Sequence, residues 1–208
     1  MRLRLLLLTL LIGCTSTVPT GEIGALDRLR EGNARYRSGS GARRAQLATG
    51  QHPYAIVFAC SDSRVAPELV FNAALGDLFV IRTAGHVLDD ASLGSIEFGV
   101  AELAIPTVVV MGHERCGAVH AALEAKEHHA EVPGNIASLV AAVAPAIEQG
   151  ETHPGDRLDN AVRANVALTV KRLRESTMLR DAIAAGKLEI LGARYDLDTG
   201  EIEWLTAE

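Results

Sequence analysis

The chain has 208 residues, 48% hydrophobic and only 4% aromatic, enough aliphatic material for the core of one ordinary domain and too much for a disordered chain. Its net charge of −6, from 26 acidic against 20 basic residues, offers no positive field to a polyphosphate backbone, so nucleic acid is not an expected partner. Three cysteines in this length make no disulfide framework, and each thiol has to be explained by its own surroundings.

In chain order, residues 1–20 read as an export segment and 21–208 as one domain, with no internal repeat, low-complexity tract or long linker. Arg2 and Arg4 precede the apolar run Leu5 to Ile12, far shorter than the roughly 20 residues that span a bilayer. Leu11-Ile12-Gly13-Cys14 resembles the lipobox of bacterial lipoproteins, which makes Cys14 the expected lipidated first residue of an exported, membrane-anchored protein. Losing Arg2 and Arg4 takes the charge from −6 to −8, so attachment is expected through the lipid alone.

Ile23 to Arg37 carries Ile23, Leu26 and Leu29 at helical spacing and ends in the Gly and Ser of 38–41, which predicts an amphipathic N-terminal helical arm. Tyr54 to Ala59 is a continuous apolar run bounded by Pro53 and Ser61, the pattern of a strand buried on both faces, and Leu78 to Ile81 and Thr107 to Met111 read the same way. Leu93, Ile96, Val100 and Leu103 fall at helical spacing between the last two, so a parallel crossover is expected. Helices are predicted over Asn135 to Gln149 and Asp159 to Ser176, the latter with Val162, Val166, Val170 and Leu173 on one face. Leu188 to Leu191 predicts a fourth strand, and the turn Asp198-Thr199-Gly200 leads into a C-terminal hairpin strand Ile202 to Leu205. The fold class is therefore α/β, a central and mostly parallel sheet flanked by helices.

The chemistry sits at two strand ends. Cys60-Ser61-Asp62-Ser63-Arg64 follows the first buried strand and His113-Glu114-Arg115-Cys116 the third, at the carboxyl edge where open α/β sheets place their ligand sites. Two thiolates and one imidazole suit Zn²⁺ and leave a fourth position open, the pattern of a catalytic rather than a structural site. Asp62 is able to fill that position or to accept a hydrogen bond from metal-bound water, and a bidentate pair with Arg64 would decide which. The alternatives for the two thiols are inert core packing and a Cys60–Cys116 disulfide, which accounts for neither His113 nor the charged pair.

These segments closely resemble the Cys-x-Asp-x-Arg and His-x-x-Cys motifs of the β-class carbonic anhydrases, and the resemblance extends through Gly32-Asn33-Ala34-Arg35-Tyr36, Gly50-Gln51, Gly76-Asp77-Leu78-Phe79-Val80 and Ser95-Ile96-Glu97-Phe98. It implies Cys60, His113 and Cys116 as ligands to one zinc per subunit, a hydroxide on zinc as nucleophile, and carbon dioxide and water interconverting with bicarbonate and a proton. It implies that Asp62 orients the hydroxide while Arg64 holds Asp62 off the metal, and that Asp62 is the fourth ligand of a closed form. A small apolar pocket of Phe79, Ala84 and Phe98 follows by the same resemblance, with Gln51 and the backbone N–H of Gly117 on the bicarbonate oxygens. So does a homodimer or larger homo-oligomer in which the N-terminal helix reaches a neighbour.

Three departures matter. Val57 stands where a bicarbonate-controlled member carries Trp, and with only Arg82 matching that pocket the site is expected to stay open. Ala84 and Phe98 stand where Val and Tyr are common, and Arg115 where a small residue is frequent, so that Arg115 either alters the charge at the site mouth or points to solvent. His86 and His120 are the candidate proton relays, whereas His128, His129 and His153 read as solvated residues without enough neighbours for a second metal. Other functions compatible with the motifs are hydrolysis of carbon disulfide or carbonyl sulfide, and zinc or bicarbonate binding without turnover.

Overall fold

The computed structural model describes residues 24–39 and 41–205. The export segment, the lipobox with Cys14 and the apolar Ile23 lie outside the described residues. The chain divides into two compact units, 1–42 and 43–208. The first contains α1 (Ala25–Ser38), held by pairs one turn apart, Asp27 with Arg30 at 3.3 Å and Glu31 with Arg35 at 3.8 Å. Its expected apolar stripe is not buried: Leu26 and Leu29 remain exposed.

Beyond α2 (Ala42–Leu47), the larger unit is built on strands β1 (Ala55–Cys60), β2 (Leu78–Thr83), β3 (Thr107–His113), β4 (Glu189–Tyr195) and β5 (Ile202–Leu205). They lie in the order β2-β1-β3-β4-β5, the first four parallel and β5 antiparallel to β4. Flanking them are α3 (Pro67–Val70), α4 (Asp90–Ala101), α5 (Gly117–His128), α6 (Ile136–Gly150), α7 (Arg157–Glu175) and α8 (Thr177–Ala184). No helix among the described residues is long and apolar enough to cross a membrane.

β1 is buried through its length and β3 from its second residue on, as continuous apolar runs require, but β2 is not. It is the edge strand, every residue of it half-buried, because only β1 pairs with it. Alternation along the strands feeds two core clusters. Val57, Ala59, Val109 and Met111 pack with Cys60 and Cys116, while Ile56, Phe58, Val108 and Val110 pack with Ile96 of α4 and with Val166, Val170 and Leu173 of α7.

Local chemistry sets the helix starts. Asp89 caps α4 by accepting from Ser92 N at 2.8 Å while Ser92 Oγ accepts from Asp89 N at 2.9 Å, a reciprocal capping box. Asp156 caps α7 by accepting from Asp159 N at 2.8 Å. Two glycines let α7 lie close on the sheet, since a Cβ on Gly112 would stand 2.7 Å from Val166 Cγ2 and one on Gly192 would stand 3.0 Å from Val166 Cγ1. At the far end Gly200, at φ +79°, makes the turn between β4 and β5.

Candidate metal centre

Cys60 ends β1 and His113 ends β3, so the parallel register brings a thiol and an imidazole to the same edge of the sheet. Cys116 sits at the N-cap of α5, three residues on from His113. The two sulfurs are 3.9 Å apart and both cysteines are free, which removes the disulfide alternative. The two sulfurs and a ring nitrogen of His113 all lie within 4.8 Å of one another, and all three residues are buried.

This donor set fits a zinc ion. Two ligands at about 2.3 Å in a tetrahedron stand about 3.8 Å apart, close to the observed sulfur separation. His113 Nδ1 meets the carbonyl of Glu114 at 2.8 Å, so it carries the ring proton and leaves a lone pair on Nε2. Nε2 is buried with no hydrogen-bond partner, a cost that a metal on that atom would remove. Cys60 Sγ accepts from the backbone N–H of Asp62 at 3.4 Å and of Gly85 at 3.2 Å. The adjacent Cys116 thiol, donating toward Cys60, holds the Cys60 thiol far below its ordinary pKa and is itself driven up by the same contact.

Asp62 is not part of the donor group. Arg64 clamps it, donating from Nε to Oδ1 at 2.9 Å, from Nη2 to Oδ2 at 2.7 Å and from its backbone N to Oδ1 at 3.0 Å. The side-chain bonds from Arg64 are the main reason the Asp62 carboxyl is held below the usual carboxylate range. Oδ2 lies 3.9 Å from His113 Nε2, so the carboxylate borders the position a metal would take. Arg82, on β2, turns its guanidinium toward the end of β1. It donates from Nε to the Cys60 carbonyl at 2.8 Å and from Nη2 to the Asp62 carbonyl at 2.6 Å, stapling the loop after β1. Val57 is fully buried in β1.

The remaining expected site residues are placed unevenly. Phe79 and Phe98 come together with ring centroids 6.4 Å apart, but Phe79 packs on the cluster of Ile56 and Phe58 rather than on that of the cysteines, and Phe98 is half exposed. Ala84 opens the turn after β2, Gly117 opens α5 with free space around its Cα, and Gln51 is exposed in the loop before β1.

Among the histidines, His86 is fully buried and burial pushes it down to about 4. His120 is exposed on α5, 3.8 Å from Glu124. His129 caps α5 at φ +49° and His153 is exposed, as expected. His128 has more neighbours than expected, because helical spacing brings Glu124 and Glu127 within 4.8 Å of it, although Glu127 is already paired with Arg157. Arg115, at φ +50°, neither points freely to solvent nor faces the donors: it forms a bidentate pair with Asp198 in the hairpin turn at 2.7 and 2.9 Å.

Sequence reasoning missed the ring of residues that holds the His113–Cys116 loop. Glu114 accepts from Arg194 Nη2 at 2.7 Å and from the backbone N–H of Leu197 at 3.1 Å, and Arg194 Nε reaches Asp159 at 2.6 Å. The charged Glu114 beside two ligands was a signal, but its partners lie some eighty residues away.

Comparison with known proteins agrees with the geometry. The model of the carbonic anhydrase family matches residues 55–202. Carbonic anhydrase 2 of Mycobacterium tuberculosis is 43% identical over 189 residues, covering 87% of this chain and 91% of its own. A carbonic anhydrase of Mycolicibacterium smegmatis is 43% identical over 193 residues, covering 88% and 93%. Among solved structures, the β-carbonic anhydrase CcaA superposes with a TM-score of 0.78 at 27% identity, covering 88% of this chain and 96% of its own.

Proposed function

This chain belongs to the β-class carbonic anhydrases, and from that premise we propose that it hydrates carbon dioxide reversibly at a zinc ion held by Cys60, His113 and Cys116. The observation that carries the reading is the convergence, at one sheet edge, of two free thiols 3.9 Å apart, a buried imidazole nitrogen with no partner and a carboxylate clamped beside them. When bound, zinc supplies the Lewis acidity that makes water a nucleophile near neutral pH.

The chain's own residues do the rest. Asp62 carries its negative charge at the edge of the site, and its Arg64 clamp fixes both oxygens, so it accepts the hydrogen of the attacking water and turns a lone pair toward the carbon. The same clamp supports an open site, in which Asp62 stays with Arg64 rather than entering the donor group. The backbone N–H of Gly117 and the amide of Gln51 are the proposed donors to bicarbonate oxygens, and Phe79, Ala84 and Phe98 the apolar wall. Phe79 and Phe98 stand away from the thiols within one chain, which favours a homo-oligomer that brings a second copy to the edge. The half-buried edge strand β2 and the exposed Phe98, Tyr54, Leu69 and Leu75 are the surfaces that support association. Of the two histidines weighed as relays, His120 alone reaches solvent and is the proposed exit for the proton. Export and lipid attachment through Cys14 belong to the same proposal, supported by the lipobox spacing and tested by mass spectrometry of the mature N-terminus.

The deciding experiment is stopped-flow carbon dioxide hydration by protein lacking residues 1–20, zinc-loaded, from about pH 6.5 to 9, beside a metal-stripped control. Zinc-dependent turnover across the range supports the reading. Activity only at the alkaline end means that Asp62 closes the site. No activity with zinc stoichiometrically bound refutes carbon dioxide as the substrate and leaves sulfur analogues or a sensor.

A further inference from the structure

The turn that follows β2 presents a backbone N–H to a cysteine of the metal centre, and its conformation is held from another element. Gly85 lies at φ +65° and His86 at φ +43°, two left-handed residues in succession, the second bulky and fully buried. That conformation is unfavourable for any residue with a Cβ and persists only where the surroundings impose it. Gly85 is also hemmed in, since a Cβ there would stand 3.0 Å from Ala118 Cβ of α5. The gain from the twist is local: Gly85 N–H reaches Cys60 Sγ at 3.2 Å.

One buried side chain is hydrogen-bonded to both residues of the turn. Asn165, in the middle of α7 and 6% exposed, donates from Nδ2 to the Gly85 carbonyl at 2.8 Å and to His86 Nε2 at 2.9 Å. Nδ2 carries two hydrogens, so both bonds form at once and His86 Nε2 is the acceptor, with the ring proton on Nδ1. The His86 ring is wedged edge-on against Phe58 at 6.3 Å, and its Cε1 stands 3.5 Å from where a Cβ on Gly112, the residue before His113, would be.

We propose that Asn165 is a positioning residue of the metal centre: through Gly85 and His86 it holds the N–H that hydrogen-bonds Cys60 Sγ, and so sets how much electron density that sulfur gives to a bound metal. A hydrogen bond to a thiolate stabilises the deprotonated, correctly placed sulfur that a metal needs, at the cost of some donated density, and outer contacts of this kind are worth roughly 10–100-fold in metal affinity. The inference rests on reading Cys60, His113 and Cys116 as a metal centre.

The test replaces Asn165 with Leu, of the same branched skeleton but without a donor, and compares parent and Asn165→Leu loaded with zinc and, separately, with cobalt. Circular dichroism of both proteins reports the fold. The expected result is a folded variant whose zinc Kd, measured by chelator competition, rises about 10-fold or more. Its thiolate-to-cobalt charge-transfer band should move to lower energy, a shift that lost packing alone does not produce. A folded variant with the parent's zinc affinity and cobalt spectrum overturns the inference, whereas a parent that binds neither ion overturns the metal-centre reading itself. If Asn165→Leu does not fold, the parent decides. Nuclear magnetic resonance of ¹¹³Cd-loaded protein should show the Gly85 amide proton coupled to the metal and the His86 ring protonated at Nδ1, and absence of that coupling or the other tautomer overturns the proposal.

Discussion

Gly112→Ala is the sharpest test of how the sheet and α7 fix the metal ligand. The added Cβ would stand 2.7 Å from Val166 Cγ2 and 3.0 Å from Val162 Cγ1, whereas carbon atoms rest at about 3.5–4.0 Å. Relief requires about 1 Å of separation between β3 and α7, in a core where Val162 and Val166 are fully buried. Overpacking of this kind costs about 1–3 kcal/mol, which for a domain of this size lowers Tm by roughly 2–12 °C. Thermal unfolding should be followed in excess chelator, because a bound metal would raise the apparent stability by mass action. Val166→Ala alone destabilises by opening space, but in Gly112→Ala/Val166→Ala the two defects fill each other, so the double variant should be more stable than the summed singles by about 1 kcal/mol or more. Zinc affinity should fall in Gly112→Ala and recover in the double variant, because His113 is the next residue. A Gly112→Ala protein that melts within a degree of the parent, or additive behaviour in the cycle, would refute the close approach of α7 and the coupling of that packing to the ligand.

The remaining predictions concern the site. Asp62→Asn keeps all three donors and should bind zinc as the parent does while losing most carbon dioxide hydration, about 100-fold or more in kcat, checked by stopped flow; full activity would show that the carboxylate has no orienting role. Cys116→Ser removes one of two thiolates and should weaken zinc binding by several orders of magnitude in chelator competition, with activity lost in proportion to metal content. Arg64→Gln removes the bonds that keep the Asp62 carboxyl below the usual range. A depressed carboxyl stabilises the fold above its unfolded value of about 3.9 and loses that contribution as pH falls through its folded value. The metal-free parent should therefore exceed Arg64→Gln in stability near pH 6, with the gap closing below about pH 4 in denaturant titrations; a constant gap would mean that the clamp does not act through this charge.

The fold was legible wherever burial follows from a local pattern. β1 and β3 announce themselves as uninterrupted apolar runs, and Val162, Val166, Val170 and Leu173 mark α7, whose start a capping Asp156 sharpens. β2 misled because an apolar run reports composition and not neighbours: Leu78 to Ile81 resembles a central strand, and only the order β2-β1-β3 shows it at the edge. α5 went unread because Gly117 and Ala118 at its start carry no helical stripe, and α8 because Ser176 both ends α7 and caps the next helix.

The site divides along the same physical line. Cys60, Asp62, Arg64, His113 and Cys116 lie within two short segments, and their chemistry is recognisable because ligand types and spacing are local properties. The residues that hold them are remote in sequence. Asn165 reaches Gly85 across 80 positions, Arg82 reaches Cys60 across 22, and Arg194 reaches Glu114 across 80. Each ties the site to an element placed by contacts elsewhere: Asn165 to α7, seated on Gly112 and Gly192, Arg82 to β2 through its register with β1, and Arg194 to β4 through its register with β3. A loop that must hold two thiols 3.9 Å apart before a metal arrives cannot rely on its own few hydrogen bonds, because fixing each backbone residue costs about 1–2 kcal/mol in conformational entropy. The left-handed residues His86 and Arg115 flank the donors and need that outside support, so loss of Asn165 or Arg194, which supply hydrogen bonds rather than apolar packing, should weaken metal binding as well as stability.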